Sequence, residues 1–316
     1  MSELSIVIRT FNCRDPLRAC LDGLDRQTLQ DVERVVVDSG STDGTPGFAA
    51  SRGIRVLSVP AAGFTYGGAL NFGFAACRGR YLCALSAHCL LLEPTVLERM
   101  LTALRTAGDR AAGVSGTAFF TDEEASLLPP GPEVQDRITL RDFQSACNRG
   151  LSNSFSIVRR DLWEAFPFPS ERCEDQKWAA HYLAQDYFTL GLRTARYRYR
   201  LDRPWRYYVR KHCDDLLMLY RTWPEAEWPK TALTDGMKVR YRFWHICARL
   251  RLAGWRWDRL SDAQKWFSTL ELGLFEASAR VRGGRLWPVL AAADVARTLA
   301  TPARRKGWVL SSEKWP

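Results

Sequence analysis

The chain has 316 residues, enough for one large domain with an extension, and its 46% hydrophobic and 25% charged composition excludes wholesale disorder. Its formal net charge of +10 is carried entirely by the segment from Lys230 to Pro316, where 17 basic residues stand against 7 acidic ones. No apolar run approaches the ~20 residues that cross a bilayer, and MSELSIVIRTFN lacks the basic start and long apolar stretch of a signal peptide, so a cytoplasmic protein is expected.

Leu4 to Ile8 reads as a buried strand, followed by a helix around Pro16 to Arg26 in which Leu17, Cys20, Leu21 and Leu24 recur at i, i+3, i+4 and i+7. Val35 to Val37 is a second strand ending at Asp38. The Gly-Ser-Thr-Asp-Gly-Thr run then turns into a helix, with Thr42 or Asp43 as its cap. Ile54 to Val59 is a third strand, Ala69 to Cys77 a helix, and Tyr81 to Leu85 a fourth strand ending at Ser86. A helix from Pro94 to Arg105 and a strand near Gly113 to Phe119 continue the series. The alternation predicts an α/β fold with a mainly parallel, Rossmann-like sheet covered by helices on both faces. Thr121 to Arg141, which contains LLPPGPEVQD, is expected as a surface loop. A short strand near Phe155 to Val158 and helices from Arg160 and Glu174 follow.

After His212 helical patterns dominate, over Leu216 to Tyr220, Leu233 to Leu252, Leu260 to Val281 and toward Leu299. The expected organisation is therefore a domain over residues 1–220 and a basic helical C-terminal region over 221–316. Ten of the twelve tryptophans lie at or after Trp205. Interfacial Trp with Arg suits an anionic membrane surface, and a plain helical subdomain with solvated arginines accounts for it as well. No nucleic-acid-binding signature accompanies the charge, so no nucleic acid partner is expected. The nine cysteines are odd in number and include no C-x-x-C pair, which points to small buried apolar residues.

In open α/β sheets ligands bind at the carboxyl ends of the strands. Four polar clusters fall at such ends or at a helix start: Thr10-Phe11-Asn12, Asp38 to Thr45, Ser86-Ala87-His88 and Glu174-Asp175. A strand-end Asp alone is often only a cap; all four clusters in order are harder to explain as packing.

With these residues in place the sequence resembles the glycosyltransferase family 2 group of nucleotide-sugar-dependent enzymes, whose fold is GT-A. The resemblance rests on SIVIRTFN (5–12), VVVDSGSTDGT (35–45), FTYGGALNFGFAACRG (64–79), LSAHC (85–89), SNSFSIVRRDLWEAFPF (152–168) and CEDQKWA (173–179), with VRKHCDDLLMLYR (209–221) a further echo. It implies that Thr10, Phe11, Asn12, Asp38 and Ser39 hold the nucleotide, Asp38 accepting from a uracil-type base. Gly67, Gly68 and Asn71 would line nucleotide and sugar, and Ser86, Ala87 and His88 occupy the place of the family's D-x-D motif. Asp175, preceded by Glu174, matches the catalytic base. His88 and His212 would hold a divalent cation, and imidazole suits Mn²⁺ better than Mg²⁺. Arg210 and Lys211 flank His212 and are suited to neutralising leaving phosphates. Asn153 and Trp178 are expected on the acceptor side.

These residue types suit the chemistry. Negative charge grows on the departing diphosphate, which cations stabilise, and the attacking hydroxyl needs a carboxylate to take its proton. A single base with in-line attack inverts the anomeric centre. The expected activity is single-sugar transfer, hexosyl or deoxyhexosyl, from a UDP-, dTDP- or GDP-linked donor to a glycan or lipid-linked acceptor of surface-polysaccharide type. The basic helices would dock on the inner membrane face. A catalytically impaired nucleotide-sugar-binding subunit is the alternative, kept open by the absent D-x-D. A nucleotidyltransferase would want a Gly-rich basic loop after the first strand, and Thr10-Phe11-Asn12-Cys13 is not one.

Overall fold

The structure is a computed structural model that describes residues 2–119, 135–145 and 150–199. The boundary expected at 220, the helices beyond it, and Arg210, Lys211 and His212 lie outside the described residues.

Strands β1 (Leu4–Thr10), β2 (Val32–Asp38), β3 (Arg55–Ser58) and β4 (Tyr81–Ser86) form the parallel half of the sheet, connected by helices α1 (Arg14–Asp25), α2 (Thr45–Ser51) and α3 (Tyr66–Ala75). The chain continues through β5 (Cys89–Leu91), α4 (Val96–Thr106), β6 (Ala111–Phe119), β7 (Gln135–Ile138), α5 (Leu140–Ser145), β8 (Phe155–Arg159), α6 (Arg160–Ala165), α7 (Glu174–Leu183) and β9 (Phe188–Tyr199). The strand order is β3-β2-β1-β4-β8-β6-β9-β5, with β7 also on β9. Beyond β4 the sheet is mixed. β8 runs antiparallel to β4 and β6, β9 parallel to β6, and β5 and β7 antiparallel to β9.

The parallel expectation holds where βα units repeat and gives way where the crossovers stop. That change of direction matters for the site. An antiparallel β8 begins beside the end of β4, so the Ser86 N–H donates to the Ser154 carbonyl at 2.9 Å and Asn153 arrives at the same edge. β5, β7 and β9 were hidden in the sequence for different reasons. β5 has three residues, and β7 lies in the polar stretch expected as loop. β9 carries Arg193, Arg196 and Arg198, which blur its alternation; Arg193 pairs with Asp136 and Arg196 with Glu93.

Each sheet face has its own core. On one, Leu4, Ile6 and Ile8 meet Leu17, Leu21 and Leu24 of α1 and Val96, Leu97 and Met100 of α4. On the other, Val7, Val35 and Val37 meet Leu70 and Phe74 of α3, Trp163, and Trp178 and Tyr182 of α7. Cys13, Cys20, Cys77, Cys83 and Cys89 carry no disulfide, and burial pushes the Cys20 and Cys77 thiols up to about 12, which disfavours the reactive thiolate. Among the described residues no helix is long and apolar enough to cross a membrane.

Candidate active site

The carboxyl ends of β1 and β2 are knitted into one rigid rim. Asp38, 2% exposed at the end of β2, accepts from the Thr10 hydroxyl at 3.0 Å and the Ser41 hydroxyl at 2.5 Å on Oδ1. On Oδ2 it accepts from the Gly40 and Ser41 amides at 3.0 and 2.8 Å. These donors fill the lone-pair positions of a carboxylate. Asp38 therefore organises its own loop, and the base-reading role implied for it finds its oxygens already engaged.

Asn12, at φ 45°, extends the stitching: its Oδ1 accepts from the Thr42 amide at 2.8 Å, and its own N–H donates to the Ser41 hydroxyl at 2.8 Å. The Ser39 amide donates to the Thr10 carbonyl at 3.1 Å. α2 starts after Gly44 at φ 84° rather than on a Thr42 or Asp43 cap. Asp43 instead accepts from the amides of Arg14 and Thr45, the first residues of α1 and α2. Burial would raise this carboxyl, but the bonds from Thr45 and Arg14 outweigh it and hold it below its ordinary value. Phe11 stands 40% exposed beside this rim.

β4 ends in the Ser-Ala-His turn. Ser86 and Ala87 are buried, and the Ala87 amide donates to the Arg9 carbonyl at 3.2 Å. The His88 ring meets Tyr199 edge-on at 4.5 Å. A divalent cation wants several oxygen or nitrogen ligands, and residues 86–88 supply a hydroxyl, a methyl and an imidazole. Among the described residues no three His, Cys, Asp or Glu side chains are grouped to hold a metal. The described residues thus fit a single ligand and not a cation cage.

α7 brings Glu174 and Asp175 to this edge. It begins after Cys173, whose φ of 60° turns the chain sharply into the helix. Glu174 is buried and accepts from Arg9 Nη1 at 3.5 Å; Asp175 is half-buried and accepts from the Asn153 amide at 3.1 Å and the Gln176 amide at 2.9 Å. Arg9 also donates to the Asn153 carbonyl at 2.9 Å and the Ser86 hydroxyl at 3.4 Å, and its guanidinium lies 5.3 Å from the Tyr66 ring centroid. Since Arg9 directly precedes Thr10, the base candidate, the D-x-D position and the β1 rim meet at one arginine. Sequence reasoning missed Arg9. The signal was a lone charge inside an otherwise uncharged, largely apolar strand, two residues from Val7 and so on the same buried face.

Other expected residues serve as supports. Asn71 donates to the Phe168 carbonyl at 2.8 Å and accepts from the Trp163 indole at 2.9 Å and the Phe168 amide at 3.1 Å, tying α3 to the segment before α7. Gly67 allows that segment close: a Cβ there would lie 2.0 Å from the Pro169 carbonyl oxygen. Trp178 is 0% exposed and donates to the Phe166 carbonyl at 2.8 Å, beneath the site rather than on an acceptor surface. Asn153, 1% exposed, is likewise a link within the network.

The sequence profile of glycosyl transferase family 2 matches residues 5–164, half of the chain. The chain belongs to this family. A Bacillus subtilis protein carrying the name glycosyltransferase EpsH is 27% identical over 235 residues, covering 69% of this family 2 transferase and 67% of that protein. In fold it resembles the mannosyltransferase PcManGT from Pyrobaculum calidifontis in complex with GDP-Man and Mn²⁺, at a TM-score of 0.58 and 17% identity over 94% of this chain and 86% of that one. S. aureus TarS 1–349 in complex with UDP follows at 0.55 and 16%, over 93% and 88%. The profile match ends before α7, so Glu174 and Asp175 stand outside it.

Proposed function

We propose that this family 2 glycosyltransferase moves a single sugar, with inversion, from a nucleotide-sugar donor to an acceptor hydroxyl, using Asp175 as base. The observation that carries the reading is the bonded path from Asp175 through Asn153 and Arg9 to Ser86, which joins a half-buried carboxylate to the strand ends. Glu174 pairs with Arg9, which compensates its charge, and Asp175 is the more exposed of the two carboxylates and the one assigned to the acceptor. Thr10, Phe11, Asn12, Ser39 and the rigid Asp38 loop would hold the nucleotide, with Phe11 offering an exposed ring to a base.

The GDP-Man and UDP complexes of the structural neighbours support a diphosphate-linked donor. Of the described residues His88 would hold a divalent cation, Mn²⁺ preferred to Mg²⁺, which would stabilise the leaving charge; His212 as a further ligand and Arg210 and Lys211 as phosphate-neutralising cations are candidates outside the described residues. The catalytic domain is taken as 1–220. A glycan or lipid-linked acceptor of surface-polysaccharide type at the inner membrane face is suggested by the basic, Trp-rich residues 221–316.

The test is release of nucleoside diphosphate from UDP-, dTDP- and GDP-sugars with Mn²⁺, Mg²⁺ or chelator. Asp175→Asn is expected to lower turnover by about 10³-fold while nucleotide affinity stays within about threefold. Undiminished turnover by Asp175→Asn would remove the base assignment, and no release from any donor would favour a binding subunit.

A further inference from the structure

We propose that Arg9 is a positioning residue that fixes the direction of the Asp175 carboxylate through the backbone of Asn153; the inference rests on Asp175 being the base. Alternation along β1 puts Arg9 on the face of Val7, under α3 and α7. Its side chain is 12% exposed and its Nε is buried with no hydrogen-bond partner among the described residues. A buried guanidinium is costly unless paired. If this one served only to neutralise Glu174, the carboxylate would be its nearest acceptor. It is not. The ion pair is 3.5 Å long, whereas the bond to the Asn153 carbonyl is 2.9 Å.

Asn153 is the node through which the contact acts. Its carbonyl accepts from Arg9, its Nδ2 donates to Glu174 at 3.3 Å, and its backbone N–H donates to Asp175 Oδ2 at 3.1 Å. Holding the carbonyl and side chain of one residue anchors its Cα and with it the position of its backbone nitrogen, which narrows the arc over which the N–H can reach Asp175. The Ser156 hydroxyl, donating to Asn153 Oδ1 at 3.3 Å, steadies the side chain from the strand behind. Arg9 therefore acts at second hand, without touching the reacting atoms.

The test replaces the ion pair by an apolar one of similar length, Arg9→Met with Glu174→Met, which keeps the layer filled. Three readouts are taken: melting temperature, hydrogen exchange of the Asn153 amide, and turnover of the donor panel beside UDP and GDP binding. The double variant is expected to stay folded, to exchange the Asn153 amide about tenfold faster, and to lose roughly 30-fold in turnover with nucleotide affinity within about threefold. Wild-type exchange and turnover in the folded double variant would overturn the proposal. Should the apolar pair not fold, Arg9→Lys carries the test. It keeps the cation but replaces the planar fork, whose Nη1 serves Glu174 and Nη2 serves Ser86 and the Asn153 carbonyl, by a single ammonium on a shorter stem, so unchanged Asn153 exchange in it overturns the proposal too. Turnover retained by Asp175→Asn would instead remove the base assignment, and the exchange measurement would still decide whether Arg9 controls the Asn153 amide.

Discussion

Asn71 satisfies three groups that would otherwise be left unpaired around Phe168 and Trp163. Truncating it to Ala would orphan a carbonyl, an amide and an indole N–H in one place. Since each unsatisfied buried polar group costs about 1–3 kcal/mol, Asn71→Ala is expected to lower stability by roughly 3 kcal/mol, read as a fall in the urea midpoint. A change below about 0.5 kcal/mol would contradict the supporting role. The same residue shows what a sequence can and cannot reveal. Asn71, Asp38 and Asp175 are visible as polar residues at motif positions, but whether a side chain faces a ligand or its neighbours depends on contacts far along the chain. Arg9 and Glu174 are separated by 165 positions, and nothing local to either names the other.

At the scale of elements, the βα repeat made β1 to β4 legible, because buried parallel strands read as continuous apolar runs. The far half of the sheet was less so: β5 is short, β7 is polar and β9 is arginine-rich. What holds that half at its edge is partly electrostatic. Glu93, just after β5, accepts from Arg99 of α4 at 2.9 Å and from Arg196 of β9 at 2.8 Å. Burial pushes its carboxyl up, but the bonds from Arg196 and Arg99 prevail and leave it below its ordinary 4.5. A carboxyl held low in the folded state stabilises fully above its unfolded value, and that contribution fades as pH falls through the folded one. Glu93→Gln is therefore expected to reduce stability at pH 7 and to flatten the decline of the unfolding midpoint between about pH 5 and pH 3. Parallel pH curves for the two proteins would show the pairs contribute nothing.

For the molecule as a whole, the family profile covers residues 5–164 and the described fold ends at 199, while the net positive charge lies beyond both, from Lys230 onward. If the segment from Lys230 onward docks on a bilayer, the full chain will bind vesicles containing anionic lipid and release as ionic strength rises above ~0.15 M. Equal recovery on neutral vesicles in a flotation assay would refute that docking. The strand order carries a further consequence, for synthesis. Among the described residues β5 and β7 pair only with β9, the last of the described strands to be translated. A nascent chain halted before Phe188 would hold a finished β1–β4 platform and two strands whose hydrogen-bonding edges have nothing to meet. Until the ribosome delivers the dozen residues of β9, the growing polypeptide carries a formed platform beside two adhesive edges, an interval in which a chaperone would shield it.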